Sequence, residues 1–456
     1  MQPQVFRVFA ALVDRKNDVV TRPELFDECW GRAAVGDDSL NRTLASIRRS
    51  LRSIGSTDVV VETVPQTGYR ISVSEDSSAG SPVVRLAIQQ ALDSLRLGMP
   101  TVDASLLASM RSLLKDESAS GSDLGVCALV LRRAAEYGSA DSCHAYVEDC
   151  QIAVREALKK EPSDPHARLA LLTLPPLIGN WTTLRRGLDS ILSEDPNNLQ
   201  GRHEMAVLEM ATGRASFAAP IIERLIDEDG LAAAFAYKRI YHLWTLGDLQ
   251  ACEMAIARAM LLWPRHPAIW IASYWVFLSC GHAGRALNMA QSEDGIPGVG
   301  EEARDFIIET ASVLERWQDG TFSGHDLERH IARTLAWGKR GPPQAVFSFM
   351  SLCVLGATDA AFEIARGYYL GEGEFPSPHR SKRGDPSITD QYRRITQFLF
   401  IPAAETLRQE DRFGSLCTDI GLTAHWDDFC IVPDFRRTSW PQARGKLNER
   451  RHVRLT

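Results

Sequence analysis

Between residues 37 and 53 the apolar positions Leu40, Leu44, Ile47 and Leu51 recur at i, i+4, i+7 and i+11, the spacing of one face of an α-helix. Asp37 or Asp38 is placed to cap its start, because a short carboxylate accepts from the first free N–H groups. The opposite side carries Asn41, Arg42, Ala45, Ser46, Arg48, Arg49 and Arg52, with no acid among them. Upstream, "VVTRPELFDECW" predicts a short strand, a cap at Thr21 and an amphipathic helix that ends near Trp30. Downstream, "VVVETV" and "YRISV" are β-branched runs joined by Pro65-Gln66-Thr67-Gly68, a turn sequence.

From residue 83 onward the period changes. Strand signals almost vanish, and the pattern is helical. Gly179, Gly213, Gly247 and Gly281 stand 34 residues apart, and Pro162, Pro196, Gly230 and Pro264 keep the same interval, offset by 17. A 34-residue period, with a turn glycine between two helices and a proline after the second, is the tetratricopeptide pattern. Neither helix of a pair buries its apolar face alone, so the pairs are expected to stack as an α-solenoid with a concave surface. The regular repeats cover 145–298, with first helices expected at about 165–178, 199–212, 233–246 and 267–280. Around them the expected layout is a polar linker "SEDSSAGSP" at 74–82, a helical connecting or capping region at 83–144, and degenerate repeats with closing helices at 299–432. "GEGEFPSPHRSKRGDPS" (371–387) reads as a long loop, and the basic tail 433–456 as disordered. The expected fold class is therefore mainly α: a small α+β winged helix followed by the α-solenoid.

Composition narrows the function. A chain of 456 residues exceeds what one core usually holds, and its 45% apolar and 24% charged content is that of an ordinary folded protein. No run of about 18 apolar residues is present, so no membrane segment is expected. The start "MQPQVFRVFAALVDRK" lacks the layout of a signal peptide, and a cytoplasmic location is expected. Nine cysteines include no CxxC pair. Cys127, Cys150, Cys252, Cys280 and Cys353 sit in apolar helical patterns, which suggests reduced, buried thiols. The net charge of −7 argues against indiscriminate coating of nucleic acid, but residues 39–54 hold four Arg and no acid, a local basic face.

Catalytic signals are missing. There is no GxxxxGK[ST] loop, GxSxG elbow, HExxH or paired Cys/His spacing, so neither an enzyme, a cofactor nor a metal is expected. His325 and His330 are five apart and fall on different helix faces. Trp244, Trp263, Trp270 and Trp275 lie at helical spacing and read mostly as core.

Helix, short strand, helix, basic helix, hairpin is the order of a winged helix, which lays its third helix in the major groove. The blocks "VVTRPELFDECWG", "SLNRTLASIRRSL" and "ETVPQTGYRI" resemble the C-terminal DNA-binding domain of OmpR-type response regulators and their CadC-like relatives, over residues 1–73. That resemblance implies DNA contacts from Arg22, Trp30, Thr43, Ser46, Arg48 and Thr63. The polar side of the basic helix adds Asn41, Arg42 and Arg49, and the turn adds Gln66 and Thr67. Two departures stand out. The family's four-stranded sheet before the first helix has no counterpart ahead of "PQVF", and Pro65 occupies a wing position where many members carry Arg. The layout with helical repeats is similar to virulence regulators of the HilA type. "FIPAAETLRQEDRFGSLCTDIGLTAHWDDF" (400–429) resembles the closing helices of bacterial tetratricopeptide-bearing regulators and adenylate cyclases, without a cyclase catalytic domain.

The expectation is a bacterial transcription regulator whose partners are double-stranded DNA and, through the repeats, RNA polymerase or another protein or peptide. A homodimer on DNA is left open. Arg202, His203, Tyr237, Arg239 and His242 are the expected lining of the partner groove. The competing reading is a repeat scaffold whose trimmed winged helix makes protein contacts instead of DNA contacts.

Overall fold

Thr21 ends a strand and opens a helix, and the first unit is organised around that corner. In the computed structural model, residues 3–31, 37–53, 59–64, 67–73, 82–98, 104–137, 140–174, 178–321, 323–373 and 394–437 are described. The linker 74–81, most of the 371–387 loop and the tail beyond 437 lie outside them. The chain divides into two compact units, Met1–Arg85 and Leu86–Thr456.

The first unit contains α1 (Pro3–Val13), β1 (Val19–Thr21), α2 (Arg22–Trp30), α3 (Asp37–Ser53), β2 (Val59–Val64) and β3 (Gly68–Val73). The sheet order is β1-β3-β2, antiparallel throughout, with Val20 opposite Tyr69 and Val61 opposite Ile71. At the corner, Thr21 and Glu24 form a capping box: the Glu24 N–H donates to Thr21 Oγ1 at 3.4 Å, and the Thr21 N–H donates to Glu24 Oε2 at 2.7 Å. The Thr21 hydroxyl and backbone bonds hold the exposed Glu24 carboxyl below its ordinary range. Helix α3 already includes Asp37 and Asp38, so both expected cap residues stand inside the helix.

Leu40, Leu44, Ile47 and Leu51 are all buried, with Val5, Val8, Leu12, Leu25, Val61, Tyr69 and Ile71, in one core beneath α3. Deleting one such side chain costs about 2–5 kcal/mol, which is enough to fix the rotation of α3 about its axis. The Arg-bearing side must then face away.

The second unit is helical. It runs through α4 (Pro82–Leu97, which crosses the unit boundary), α5 (Ala104–Leu113), α6 (Gly121–Tyr137), α7 (Ala140–Lys160), α8 (Pro165–Thr173) and α9 (Trp181–Glu194). There follow α10 (Leu199–Ala211), α11 (Ala215–Glu228), α12 (Ala233–Leu246), α13 (Leu249–Leu262), α14 (Pro267–Ser279) and α15 (Ala283–Ala290). Then come α16 (Glu301–Gln318), α17 (Gly324–Gly338), α18 (Pro342–Leu355) and α19 (Thr358–Leu370), and finally α20 (Glu405–Arg408), α21 (Asp411–Asp419) and α22 (Leu422–Asp428). The 34-residue glycines explain the turns. Gly179, Gly213, Gly247 and Gly281 have φ of 81, 78, 77 and 86°, a left-handed conformation that costs other residues energy. Asp164 and Asn198, also 34 apart, cap α8 and α10 through side-chain bonds to Ala167 and Gly201 N–H groups.

Sequence-adjacent helices pack against one another, but contacts are not confined to neighbours. Residues 394–437 return to the ends of α9 and α10. Three successive carbonyls at the close of α10 are satisfied this way: Ala211 by the Thr396 hydroxyl at 2.7 Å, Thr212 by Trp426 Nε1 at 2.9 Å, and Gly213 by the Asp434 N–H at 2.8 Å. Helix ends leave such carbonyls without intrahelical partners, so a distant segment finds acceptors ready there. The buried Asp434 carboxylate also accepts from the N–H and hydroxyl of Ser216, at 2.9 and 2.6 Å. Trp181 Nε1 donates to Ile420 O at 2.8 Å. These long-range bonds form because the helix ends offer polar groups that only a remote segment reaches.

Among the described residues no helix is long and apolar enough to cross a membrane, and no His/Cys/Asp/Glu group is arranged to hold a metal. Trp244, Trp270 and Trp275 are buried, whereas Trp263 is half-buried.

Candidate nucleic-acid interface

Burial of the Leu40–Leu51 stripe leaves Asn41, Arg42, Ala45 and Arg49 exposed on α3, with Ser46 and Arg48 half-buried at its borders. Among the described residues Arg42 and Arg49 have no ion-pair partner. Unpaired, exposed guanidinium groups on one helix face suit phosphate oxygens and purine edges, because Arg donates in a planar fork and accepts nothing. Thr63 on β2 and Thr67 in the turn are exposed as well, while Gln66 lies outside the described residues.

Other expected contacts are engaged within the fold. Arg48 Nε–H donates to Val61 O at 2.9 Å and its Nη2 to Thr63 Oγ1 at 2.8 Å. Because β2 is an edge of the sheet, the Arg48 fork covers a carbonyl that no strand pairs. Arg48 thus ties α3 to the hairpin and has little freedom to read a base. Thr43 is buried, and its hydroxyl donates to Ser39 O at 2.8 Å, so it faces the helix and core; the expectation of direct DNA contact is corrected for this residue. The physical reason is its place at i+3 from Leu40, beside the apolar stripe. Trp30 is half-buried against the core and packs on Phe26, with ring centroids 5.4 Å apart.

Arg22 is held by a residue that the sequence reading did not single out. Its Nη2 donates to the Tyr69 hydroxyl at 2.7 Å, and its guanidinium lies 5.3 Å from the Tyr69 ring centroid. The Tyr69 hydroxyl donates in turn to Asn41 Oδ1 at 3.1 Å. The only signal in the sequence is that Tyr69 and Ile71 alternate inward on a strand, which predicts a buried ring but not the reach of its hydroxyl. On the outer part of the hairpin, Arg70 and Ser72 donate to Glu62 Oε2 and hold that half-buried residue's carboxyl below its ordinary range.

Residues 1–71 match the family described as transcriptional regulatory protein, C terminal. A Vibrio parahaemolyticus protein named cholera toxin homolog transcriptional activator is 33% identical over 67 residues, which is 14% of this chain. The chain covers 23% of that relative's length. The family match falls on the unit that carries α3 and ends before α4.

The expected partner groove fares differently. His203, Tyr237 and His242 are 4, 8 and 1% exposed, so they are interior groups and not the lining of an open groove; that expectation is corrected. They lie on the sides of α10 and α12 that pack against other helices, where His203 meets Phe235 at 5.4 Å and Tyr237 stacks on His266 at 6.2 Å. Burial keeps the His203 imidazole well below its ordinary pKa. Arg202 and Arg239 retain solvent access, but pair with Glu228 and Glu223 of α11 at 2.5 and 2.8 Å.

Proposed function

We propose that this chain is a transcription regulator that binds promoter DNA through residues 1–73. Helix α3 lies in the major groove, and the β2–β3 hairpin lies beside the adjacent backbone. The observation that carries the reading is the segregation on α3: four buried apolar positions on one side, and Asn41, Arg42 and Arg49 exposed without an acid on the other. The family match over the same residues and the name of the Vibrio relative support it.

The direct contacts proposed are Asn41, Arg42, Ser46, Arg49, Thr63, Gln66 and Thr67, with Arg22 and Arg48 holding the frame and Trp30 at its edge. The helices of the second unit, read as tetratricopeptide-like repeats, take the regulatory input from a protein or peptide, RNA polymerase among the candidates. A cytoplasmic location follows from this role.

Selection of bound sequences from random duplex DNA tests the reading with the full chain. A recurring motif of about one helical turn, with affinity that falls steeply as salt rises, is the expected result. Recovery of no enriched sequence at low salt would remove DNA recognition and leave the scaffold reading.

A further inference from the structure

The three groups Arg22, Tyr69 and Asn41 form a hydrogen-bond chain whose direction is set by chemistry. Arginine has five N–H donors and no acceptor, so in the 2.7 Å contact the Tyr69 oxygen must accept. A phenol has one proton. With its oxygen turned toward Arg22, that proton goes to the Asn41 Oδ1 at 3.1 Å. Tyr69 is 2% exposed and its ring is locked in the core, so the hydroxyl cannot swing elsewhere. Asn41 itself is exposed on the basic face of α3. Its Oδ1 is turned toward Tyr69 and accepts there, and among the described residues its amide nitrogen has no partner.

We propose that Tyr69 is a positioning residue that fixes the Asn41 side-chain amide, so that Asn41 meets DNA as a hydrogen-bond donor only. The proposal rests on the DNA-binding reading above and sharpens it. A freely turning asparagine makes a bidentate pair with adenine, accepting from N6 and donating to N7. Here the oxygen faces Tyr69, so that pair is disfavoured. The ligand is an acceptor-only group: the N7/O6 edge of guanine, or a phosphate oxygen. The three residues come from α2, α3 and β3, so the orientation is a property of the assembled fold and not of α3 alone.

The experiment compares the full chain with Tyr69→Phe, Asn41→Ala and the double variant, each passed through selection from random duplex DNA and then titrated at fixed salt. Tyr69→Phe keeps the buried ring and removes only the hydroxyl, and a thermal melt checks that it is folded. If Asn41 meets a base, Tyr69→Phe changes the base preference at one position, with adenine rising roughly two- to tenfold against guanine. If Asn41 meets phosphate, affinity falls by a similar factor for all sequences and the base profile stays. In both cases the effect vanishes in the Asn41→Ala background. An effect of Tyr69→Phe that persists in that background, or no effect of either kind, overturns the proposal while leaving DNA binding intact. A parent chain that enriches no sequence overturns the underlying reading instead.

Discussion

The Trp426 indole donates to the carbonyl of Thr212 at 2.9 Å, joining positions 214 residues apart. Together with Thr396 and Asp434 it makes residues 394–437 part of the helical second unit rather than an appendage. Replacing Trp426 by Phe removes the donor and leaves a buried carbonyl unpaired, at a cost of about 1–3 kcal/mol. Urea denaturation of the variant should show that loss, and amide exchange should rise first in α10 and α11. An unchanged midpoint would mean the indole bond contributes nothing.

Gly213 and Gly247 are both left-handed, at φ 78 and 77°, but their surroundings differ. A Cβ at Gly213 would meet ring atoms of Phe400 at 2.9–3.1 Å, whereas one at Gly247 would meet nothing within 4 Å. Gly247→Ala should therefore cost about 1 kcal/mol from the backbone alone. Gly213→Ala should cost a further ~1–3 kcal/mol, because the C-terminal segment must shift. Equal melting temperatures for the two variants would show that Phe400 does not press on this turn.

On α3 the arginines should separate into two kinds. Arg42→Ala and Arg49→Ala remove exposed groups, so stability should hold within about 0.5 kcal/mol. Binding should weaken by about 1–3 kcal/mol for a base contact, or the salt slope should fall by about one for a phosphate contact. Arg48→Ala also unties α3 from Val61 and Thr63, and should lower stability by about 1 kcal/mol. Gel-shift titrations at several salt concentrations, paired with melts, make the distinction. If all three variants bind like the parent, α3 is not the reading helix.

Stability should also fall in mild acid. Burial lowers His330 and His425 to about 4, so both are neutral in the folded protein at neutral pH, whereas an unfolded chain protonates them below about 6.5. Between pH 6.5 and 4 the unfolded state binds more protons, and each histidine withdraws on the order of 2–3 kcal/mol. Asp164 works in the opposite direction: burial raises it to about 6, so the folded state takes up its proton first as pH drops. His330→Phe should flatten the fall in stability across this window, measured by denaturant titration at each pH. A slope identical to the parent's would exclude His330 as a source.

Charge reversal at Arg202 and Arg239 tests whether these half-buried arginines of α10 and α12 take part in the proposed regulatory input. Their partners Glu228 and Glu223 are partly exposed, so losing each pair should cost less than about 1 kcal/mol, and the like-charge contact that reversal creates should add a similar amount. Promoter activation in cells should be lost, while the purified protein still shifts DNA. Activation that survives the reversal would place the input elsewhere.

Periodicity alone was enough to locate α3 and its apolar stripe, because a helix that buries one face must repeat near 3.6 residues and leave its polar residues outside. The 34-residue glycines were legible for a similar local reason: a turn that needs positive φ selects glycine wherever it recurs. The Thr21 cap and the hairpin were also local, each encoded within a few adjacent residues.

What only the tertiary structure decided concerns partners far apart in sequence. No spacing rule ties Arg22 to Tyr69 and Tyr69 to Asn41, Arg48 to the edge carbonyl of Val61, or Trp426 to Thr212. Whether an arginine is free for DNA or spent on its own fold, and whether His203, Tyr237 and His242 line a groove or fill the interior, depends on which surfaces meet. A hydrogen bond acts over about 3 Å. The sequence specifies its donors and acceptors, and the packing of apolar faces decides which of them arrive within that distance.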